Sequence, residues 1–182
     1  MDSNENVIYD YRLYDQVWQR VAPELNPYPE VRGAETASPL PERCTPSTLQ
    51  AQTLRNLADE ELEGRRVYLA YVRCAPNNNA RRMMRQLAEE EGRHARRLVS
   101  LYYLMTGECY KPVLSTNCIA VPAWCEALRQ RYHEEIYDAA RYEQLARDSN
   151  DAGIAQIMAA LADSEMRHAR QLLCLLEQNL LA

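Results

Sequence analysis

The sequence lacks several features that would indicate a β-sheet protein, a membrane protein or a thiolate metal site. Only five of its 182 residues are glycine, and runs of β-branched residues are scarce, which argues against a sheet. No hydrophobic run reaches membrane-spanning length, and the first residues are acidic and polar rather than basic and then apolar. The six cysteines form no CxxC pair, which argues against a zinc ribbon or a rubredoxin-type iron site.

Charge and cysteine placement narrow the expected partners and compartment. The formal net charge is -5 at pH 7, so bulk electrostatics do not favour nucleic acid as a partner. Cys74 and Cys174 fall within helical patterns, and we predict that they are small core residues. We expect a cytoplasmic protein with reduced thiols and no membrane attachment.

From residue 47 onward, the composition is typical of a helical protein. Ala, Leu, Glu, Gln and Arg dominate, and apolar residues recur at intervals of three and four. We expect Ser47 or Thr48 near the first cap and Pro122 in the first turn of the third helix. The pattern predicts four long helices, at about residues 47–75, 79–106, 122–148 and 151–180.

The lengths of the connections favour one topology. The first and third connections are short, so they should join antiparallel hairpins. The middle connection, about residues 108–121, reaches at most about 50 Å when extended, whereas a helix of about 28 residues is about 42 Å long. It can therefore cross the length of the bundle. We predict an all-α, ferritin-like four-helix bundle over residues 47–182, with two antiparallel hairpins joined by a long crossover.

The first 46 residues have a different character. Val7, Tyr11, Tyr14 and Trp18 are spaced by three and four, which predicts a short amphipathic helix, and a proline-rich segment without regular structure follows. Because aromatics are concentrated there, we interpret residues 1–46 as an irregular arm that packs on the bundle or on a neighbouring subunit. A disordered tail is the alternative.

One helical phrase occurs twice. "EEEGRHARRL" at residues 89–98 returns as "DSEMRHARQL" at residues 163–172, and nine of fifteen residues are identical between 84–98 and 158–172. The same offset of 74 residues aligns the preceding helices, where Glu60, Glu61 and Tyr68 fall on Glu134, Glu135 and Tyr142. This predicts a helical hairpin that is used twice, with a pseudo-twofold axis that brings the copies together.

Each copy of the phrase places a glutamate and, three residues later, a histidine on the apolar face of its helix. Helical periodicity puts both side chains on the same side, one turn apart. Glutamates on the partner helices share a face with leucines. We therefore expect four carboxylates and two imidazoles at the middle of the bundle, from Glu61, Glu91, His94, Glu135, Glu165 and His168.

Four ionised carboxylates in an apolar core would repel one another unless cations compensated them. Two divalent metals supply four positive charges. One Glu from each of two helices plus a Glu-x-x-His from each of the other two is the donor set of di-iron and di-manganese bundles. A cluster left by an ancient duplication, making structural hydrogen bonds alone, is the alternative.

The sequence resembles the rubrerythrin branch of the ferritin-like superfamily over residues 47–180. The resemblance rests on "EELEGRRVY", "EEEGRHARRL", "EEIYDAARY" and "DSEMRHARQL". In that family the first-helix glutamate precedes an aromatic by seven residues, which favours Glu61 and Glu135 over Glu60 and Glu134. The resemblance implies two irons and reaction with peroxide, dioxygen or ferrous ions. The implied ligands are Glu61, Glu91, His94, Glu135, Glu165 and His168.

Two departures from the family pattern affect what the resemblance implies. Rubrerythrins carry a four-cysteine, rubredoxin-like domain that feeds electrons to the irons, and no cysteine pattern here matches it. The family also has a further glutamate one turn after the third-helix ligand, where this chain has the shorter Asp138. Asp138 and Glu60 are candidate accessory carboxylates. Tyr68 and Tyr142 are candidates for packing, for hydrogen bonds to a carboxylate or for electron passage, and His133 for a surface role.

These observations favour a di-metal oxidoreductase of the peroxidase or ferroxidase type. Two iron ions are the expected cofactor, and manganese is the alternative metal. Electrons would come from a separate donor protein or from ferrous ion itself, and a homodimer is expected. The alternative class is non-enzymatic: an iron-binding or storage protein, or a structural assembly protein that keeps the bundle.

Overall fold

The computed structural model describes Leu49 and residues 51–180, and the regular structure within them is entirely helical. This confirms the four predicted helices and is compatible with a four-helix bundle. The predicted arm at residues 1–46, its short helix and the expected cap at Ser47 or Thr48 lie outside the described residues. The helices are α1 (Ala51–Cys74), α2 (Asn78–Thr106), α3 (Trp124–Asp148) and α4 (Ala152–Leu180).

Local signals in the sequence set the helix ends. The side chain of Asn77 accepts a hydrogen bond from the amide of Ala80 at 2.9 Å and so caps α2. Gly107 ends the same helix in the left-handed region with φ of 74°, which a residue without Cβ adopts easily. The carboxylate of Asp151 accepts the amide of Gly153 at 2.7 Å at the start of α4.

The start of α3 differs from the prediction. The helix begins at Trp124, so Pro122 precedes the helix instead of lying in its first turn. The reason is local: Ala123 has an extended ψ of 144°, and the chain becomes helical after it. The ring of Trp124, the first residue of α3, packs edge-on against Tyr71 of α1, with centroids 6.4 Å apart.

The connection between α2 and α3 runs along α1. The hydroxyl of Tyr110 donates to Asp59 at 2.6 Å, and Arg66, two turns further along α1, donates to the carbonyl of Asn117 at 2.6 Å. Trp124 then lies against a tyrosine in the last turn of α1. The connection therefore travels from one end of α1 towards the other, so that α3 starts at the end where α1 stops.

Two apolar clusters fill the interior. One contains Leu54, Leu98 and Leu161, and the other contains Met84 and Leu172. Both clusters draw side chains from all four helices, and the buried glutamates and histidines lie between them along α2 and α4. The charged groups are thus held away from both ends of the bundle.

Two features of the surface complete the description. None of the described helices has the length and apolar character needed to cross a lipid bilayer. The prediction that Cys74 and Cys174 are core residues is wrong, because both are exposed free thiols. Cys174 follows Leu172 and precedes Leu175 on α4, both buried, so it faces outward between two turns of the buried stripe.

Candidate metal centre

The structure buries all six residues that the sequence predicted as metal ligands. Their exposed fractions range from 0% to 6%, which is unusual for ionisable side chains. They come from all four helices, as expected: Glu61 from α1, Glu91 and His94 from α2, Glu135 from α3, Glu165 and His168 from α4.

The six side chains form two overlapping groups that share Glu91. The first, which we call the α1 half-site, consists of Glu61, Glu91 and His94. The second, the α3 half-site, consists of Glu91, Glu135, Glu165 and His168. Within each group, one donor atom per residue lies within 4.8 Å of the others. Each half-site could therefore surround one metal ion.

Both imidazoles point the same ring nitrogen at the carboxylates. Nδ1 of His94 lies 2.8 Å from Glu165 Oε1 and 3.3 Å from Glu61 Oε2. Nδ1 of His168 lies 2.9 Å from Glu165 Oε2 and 3.1 Å from Glu91 Oε1. The two rings stack with centroids 5.5 Å apart. Glu165 thus offers one oxygen to each histidine, as a bridging carboxylate would.

Two of these carboxylate oxygens are not satisfied by hydrogen bonds. Glu91 Oε1 and Glu165 Oε1 are buried, and no hydrogen-bond partner serves them among the described residues. Imidazole Nδ1 atoms lie 2.8 Å from Glu165 Oε1 and 3.1 Å from Glu91 Oε1, as ion-pair contacts. A buried carboxylate oxygen without a donor is costly, and a metal ion between these atoms would satisfy it. The donor set therefore fits a metal.

The pseudo-twofold symmetry predicted from the repeat is visible in the tyrosines. The hydroxyl of Tyr68 in α1 donates to Glu135 Oε1 in α3 at 2.6 Å, and the hydroxyl of Tyr142 in α3 donates to Glu61 Oε1 in α1. Each tyrosine therefore holds the glutamate of the other hairpin. Of the roles considered from the sequence, a hydrogen bond to a carboxylate is confirmed.

Each histidine is also anchored at its second nitrogen, by residues that the sequence reading missed. Nε2 of His94 lies 2.9 Å from Ser164 Oγ, and Nε2 of His168 lies 3.0 Å from Glu90 Oε2. Glu90 and Ser164 occupy equivalent positions of the repeat, one residue before Glu91 and Glu165. The repeat in the sequence could therefore have identified both residues as neighbours of the histidines. Such partners orient a ligating imidazole and raise its basicity.

A buried arginine is the second feature that was missed. Arg131 is only 7% exposed, its guanidinium donates to Glu135 and to Glu134, and it lies over the ring of Tyr68 at 4.7 Å from the centroid. One turn separates it from Glu135, so it shares that residue's face of α3. Its position is matched in the first hairpin by Leu57, which is also buried, so the repeat and the helical spacing could have revealed it.

Gly64 allows the close approach of α1 to Glu91. A Cβ at this position would lie 2.9 Å from Glu91 Oε2, closer than nonbonded atoms tolerate. A side chain at residue 64 would therefore displace the carboxylate that both half-sites share.

Without a metal, the centre binds protons. Burial raises the pKa of Glu91 to about 8. Burial alone would lower the pKa of His94, but the carboxylates of Glu165 and Glu61 outweigh it and raise the pKa to about 10. The pKa of His168 is raised in the same way by its carboxylate neighbours. The cluster therefore holds protons at neutral pH that a metal would displace.

The two terminal glutamates are equivalent in the repeat but differ in their electrostatics. Burial raises the pKa of Glu61. Burial would raise the pKa of Glu135 as well, but the charges of Arg131 and His168 outweigh it and lower the pKa to about 2. Glu135 is therefore held as a carboxylate, mainly because of a guanidinium that Glu61 does not have.

The remaining candidates lie further out. His133 is exposed, as predicted. Glu60 is exposed and forms an ion pair with Arg141. Asp138 is half-buried, and burial raises its pKa to about 7. Neither Glu60 nor Asp138 belongs to the two groups of donors.

A small cavity lies between α1 and α3, beside the candidate centre. It has a volume of about 20 Å³, and Glu61, Glu91 and Tyr142 form its inner wall. Gly64 and Asp138 also line it, as do Leu57, Glu60 and Arg131. This space suits about one water-sized molecule.

We predict that the metal-free protein loses stability as pH rises from about 6 to about 9. The folded state binds protons at Glu91 up to about pH 8 and at His94 up to about pH 10, whereas the unfolded chain releases them near the ordinary pKa values of 4.5 and 6.5. Stability from both groups is therefore present at low pH and is lost as pH rises through these ranges. Thermal unfolding of chelator-treated protein at several pH values measures this.

The control for this prediction is Glu91→Gln, which cannot ionise. Its melting temperature should fall less steeply over the same pH range, because one of the titrating groups is absent. A melting temperature of the metal-free wild type that is constant or rises from about pH 6 to about pH 9 would contradict the assignment of raised pKa values.

A second prediction concerns Gly64. Gly64→Ala should fold normally, because alanine favours a helix over glycine by about 1 kcal/mol, but it should bind metal at least roughly tenfold more weakly by moving Glu91. Gly92→Ala is the matched control, since its Cβ would meet only the side chain of Arg65, at 3.3 Å. Isothermal titration with Mn²⁺ compares the two. Equal affinities in both variants would show that the close approach of Gly64 is unimportant.

Comparison with known proteins adds no relative. No protein-family model matches the chain, and neither the curated proteins nor the solved structures contain a match. The resemblance to rubrerythrins therefore stays a prediction from the quoted motifs. The regular structure of the described residues is helical, and a buried cluster of glutamates and histidines among them could hold a metal ion.

Proposed function

We propose that the chain is a di-metal carboxylate protein of the rubrerythrin-like branch of the ferritin-like superfamily, and that it carries out redox chemistry with peroxide, dioxygen or ferrous ion. One observation carries the proposal. Two imidazole Nδ1 atoms and four carboxylates converge in the core, and two of the carboxylate oxygens are buried without a hydrogen-bond donor among the described residues.

The donor set suits two metals better than one. Glu61 and His94 lie on one side, and Glu135 and His168 lie on the other. Glu165 contacts both histidines, and Glu91 contacts His168 and belongs to both half-sites. Four carboxylates would balance two divalent cations. Nitrogen and oxygen donors of this kind accept iron, which we favour, and also manganese. Bound iron would supply the one-electron redox steps.

The surrounding residues prepare this donor set for metal. Contacts of Nε2 with Ser164 and Glu90 orient the imidazoles so that Nδ1 faces the carboxylates. Hydrogen bonds from Tyr68 and Tyr142 each occupy one oxygen of a terminal glutamate and leave the other directed at a histidine. The centre is therefore oriented before any metal binds, which reduces the entropy lost on binding.

The cavity between α1 and α3 limits the size of the substrate. At about 20 Å³ it has room for about one water-sized molecule, which favours a substrate as small as peroxide or dioxygen over an organic one. Asp138 lines this cavity, and its raised pKa of about 7 lets the carboxyl group hold a proton close to neutral pH. It is therefore suited to give a proton to a small oxidant or to take one from it.

Electrons must reach the centre from outside the described bundle. The sequence contains no CxxC pair that could hold an iron relay, so we propose a separate electron-donor protein or ferrous ion as the reductant. A homodimer and a cytoplasmic location complete the proposal. The competing function is iron storage or structural assembly without turnover, which the same cluster of donors would serve.

The first test is metal analysis beside turnover. Wild-type protein loaded anaerobically with Fe²⁺ should contain about two iron ions per chain, and Glu91→Ala/Glu165→Ala should lose both. The matched control is Glu89→Ala/Asp163→Ala, which changes the equivalent exposed positions two residues earlier in each copy and should retain the metal. Elemental analysis after desalting gives the stoichiometry.

A turnover assay distinguishes an enzyme from an iron-storage protein. The loaded wild type should consume peroxide repeatedly in the presence of a reductant, whereas a store would take up iron well beyond two ions per chain. Wild-type protein that stays metal-free after anaerobic loading would contradict the whole proposal. The glutamate and histidine repeat would then be a structural remnant of duplication.

A further inference from the structure

The two half-sites are equivalent in the repeat, but their surroundings are not. Arg131 is the main difference, because its position in the first hairpin is occupied by Leu57. Both side chains are buried, at 7% and 2% exposure, and each precedes a terminal glutamate by one turn. One hairpin therefore brings a fixed positive charge to its glutamate, and the other brings an apolar side chain.

The guanidinium acts on one oxygen of Glu135. Nη2 of Arg131 and the hydroxyl of Tyr68 both donate to Oε1, so Oε2 is the oxygen that faces His168, at 3.2 Å from Nδ1. In the other half-site, Glu61 Oε1 accepts from Tyr142. Arg131 thus adds a second donor and a full charge behind the carboxylate that a metal in the α3 half-site would use.

We propose that Arg131 is a positioning residue that makes the two metal positions unequal, so that the α1 half-site binds its metal more tightly than the α3 half-site. The inference rests on the proposed di-metal function. The Coulomb energy between two charges scales with their product and falls with distance. A guanidinium in contact with Glu135 therefore opposes a divalent cation on the same carboxylate, and burial keeps that opposition from being screened.

Glu90 does not cancel this effect. Its carboxylate contacts Nε2 of His168 and would strengthen that ligand, but it is partly exposed, at 26% of its side chain. It also lies 3.4 Å from Arg93 and 3.8 Å from Arg167, so its charge is shared with two arginines and partly screened by solvent. Arg131 also pairs with Glu134, but that carboxylate is exposed, whereas the guanidinium is buried against Glu135.

The test is a stepwise titration of metal-free protein with Co²⁺, followed by the visible absorption of the bound ion. Wild-type protein should show two binding steps that differ roughly tenfold or more in affinity. Glu61→Gln should weaken or remove the tighter step, and Glu135→Gln the weaker one. These two variants change equivalent glutamates of the repeat and so assign each step to a half-site.

Arg131→Leu, which installs the residue of the first hairpin, should tighten the weaker step roughly tenfold or more and bring the two affinities together. Arg131→Lys keeps the charge and should keep the steps apart. Arg131→Gln keeps a hydrogen-bond donor for Glu135 without the charge, and serves if the leucine variant does not fold. If Arg131 contributed to stability alone, its replacement would weaken metal binding, because loss of packing disturbs a preformed site.

The outcomes distinguish this inference from the proposed function. No Co²⁺ bound by the wild type would overturn both. Two equal steps in the wild type, or an unchanged or weaker second step in both neutral variants, would overturn the role of Arg131 and leave the di-metal centre standing. Loss of the tighter step in Glu135→Gln would also overturn it.

Discussion

The compensation of four carboxylates in the core is the constraint on which the rest of this structure depends. Glu91, Glu135 and Glu165 are almost completely buried, and Glu61 nearly so. In the metal-free chain, burial raises the pKa of Glu91 to about 8, so protons and imidazoles neutralise part of this charge. Two apolar clusters enclose the charged layer on either side. Burying four carboxylates together in this way is costly unless a cation compensates their charge.

The repeat explains how one chain builds such a centre, and the departures from the repeat explain how the two halves come to differ. Tyr68 and Tyr142 exchange equivalent hydrogen bonds with the glutamates of the opposite hairpin. Two further pairs of equivalent positions have diverged. Leu57 stands opposite Arg131 in the alignment, and Glu90 opposite Ser164. Both changes place a charged side chain in direct contact with a ligand that belongs to the α3 half-site alone, Arg131 with Glu135 and Glu90 with His168, whereas Leu57 and Ser164 are uncharged.

The sequence predicted the helices and the cluster because both depend on periodicity. Glu91 and His94 interrupt an apolar stripe that positions them inward, and the structure buries them there. Arg131 was missed because arginine is usually a surface residue, although its position lies one turn before Glu135 and aligns with the buried Leu57. Cys174 was misjudged because cysteine is usually buried, although the stripe that contains Leu172 and Leu175 leaves it facing outward. In both cases the residue type misled the prediction and the position in the helix did not.

Anomalous X-ray diffraction from crystals of the metal-loaded protein tests the central claim most directly. The account predicts two anomalous peaks in the core, one bordered by Glu61 and His94 and the other by Glu135 and His168, with Glu91 and Glu165 in contact with both. A core without anomalous density, in which protons alone neutralise the carboxylates, would contradict it. So would a single peak in crystals that contain excess metal, because the account requires two ions per chain.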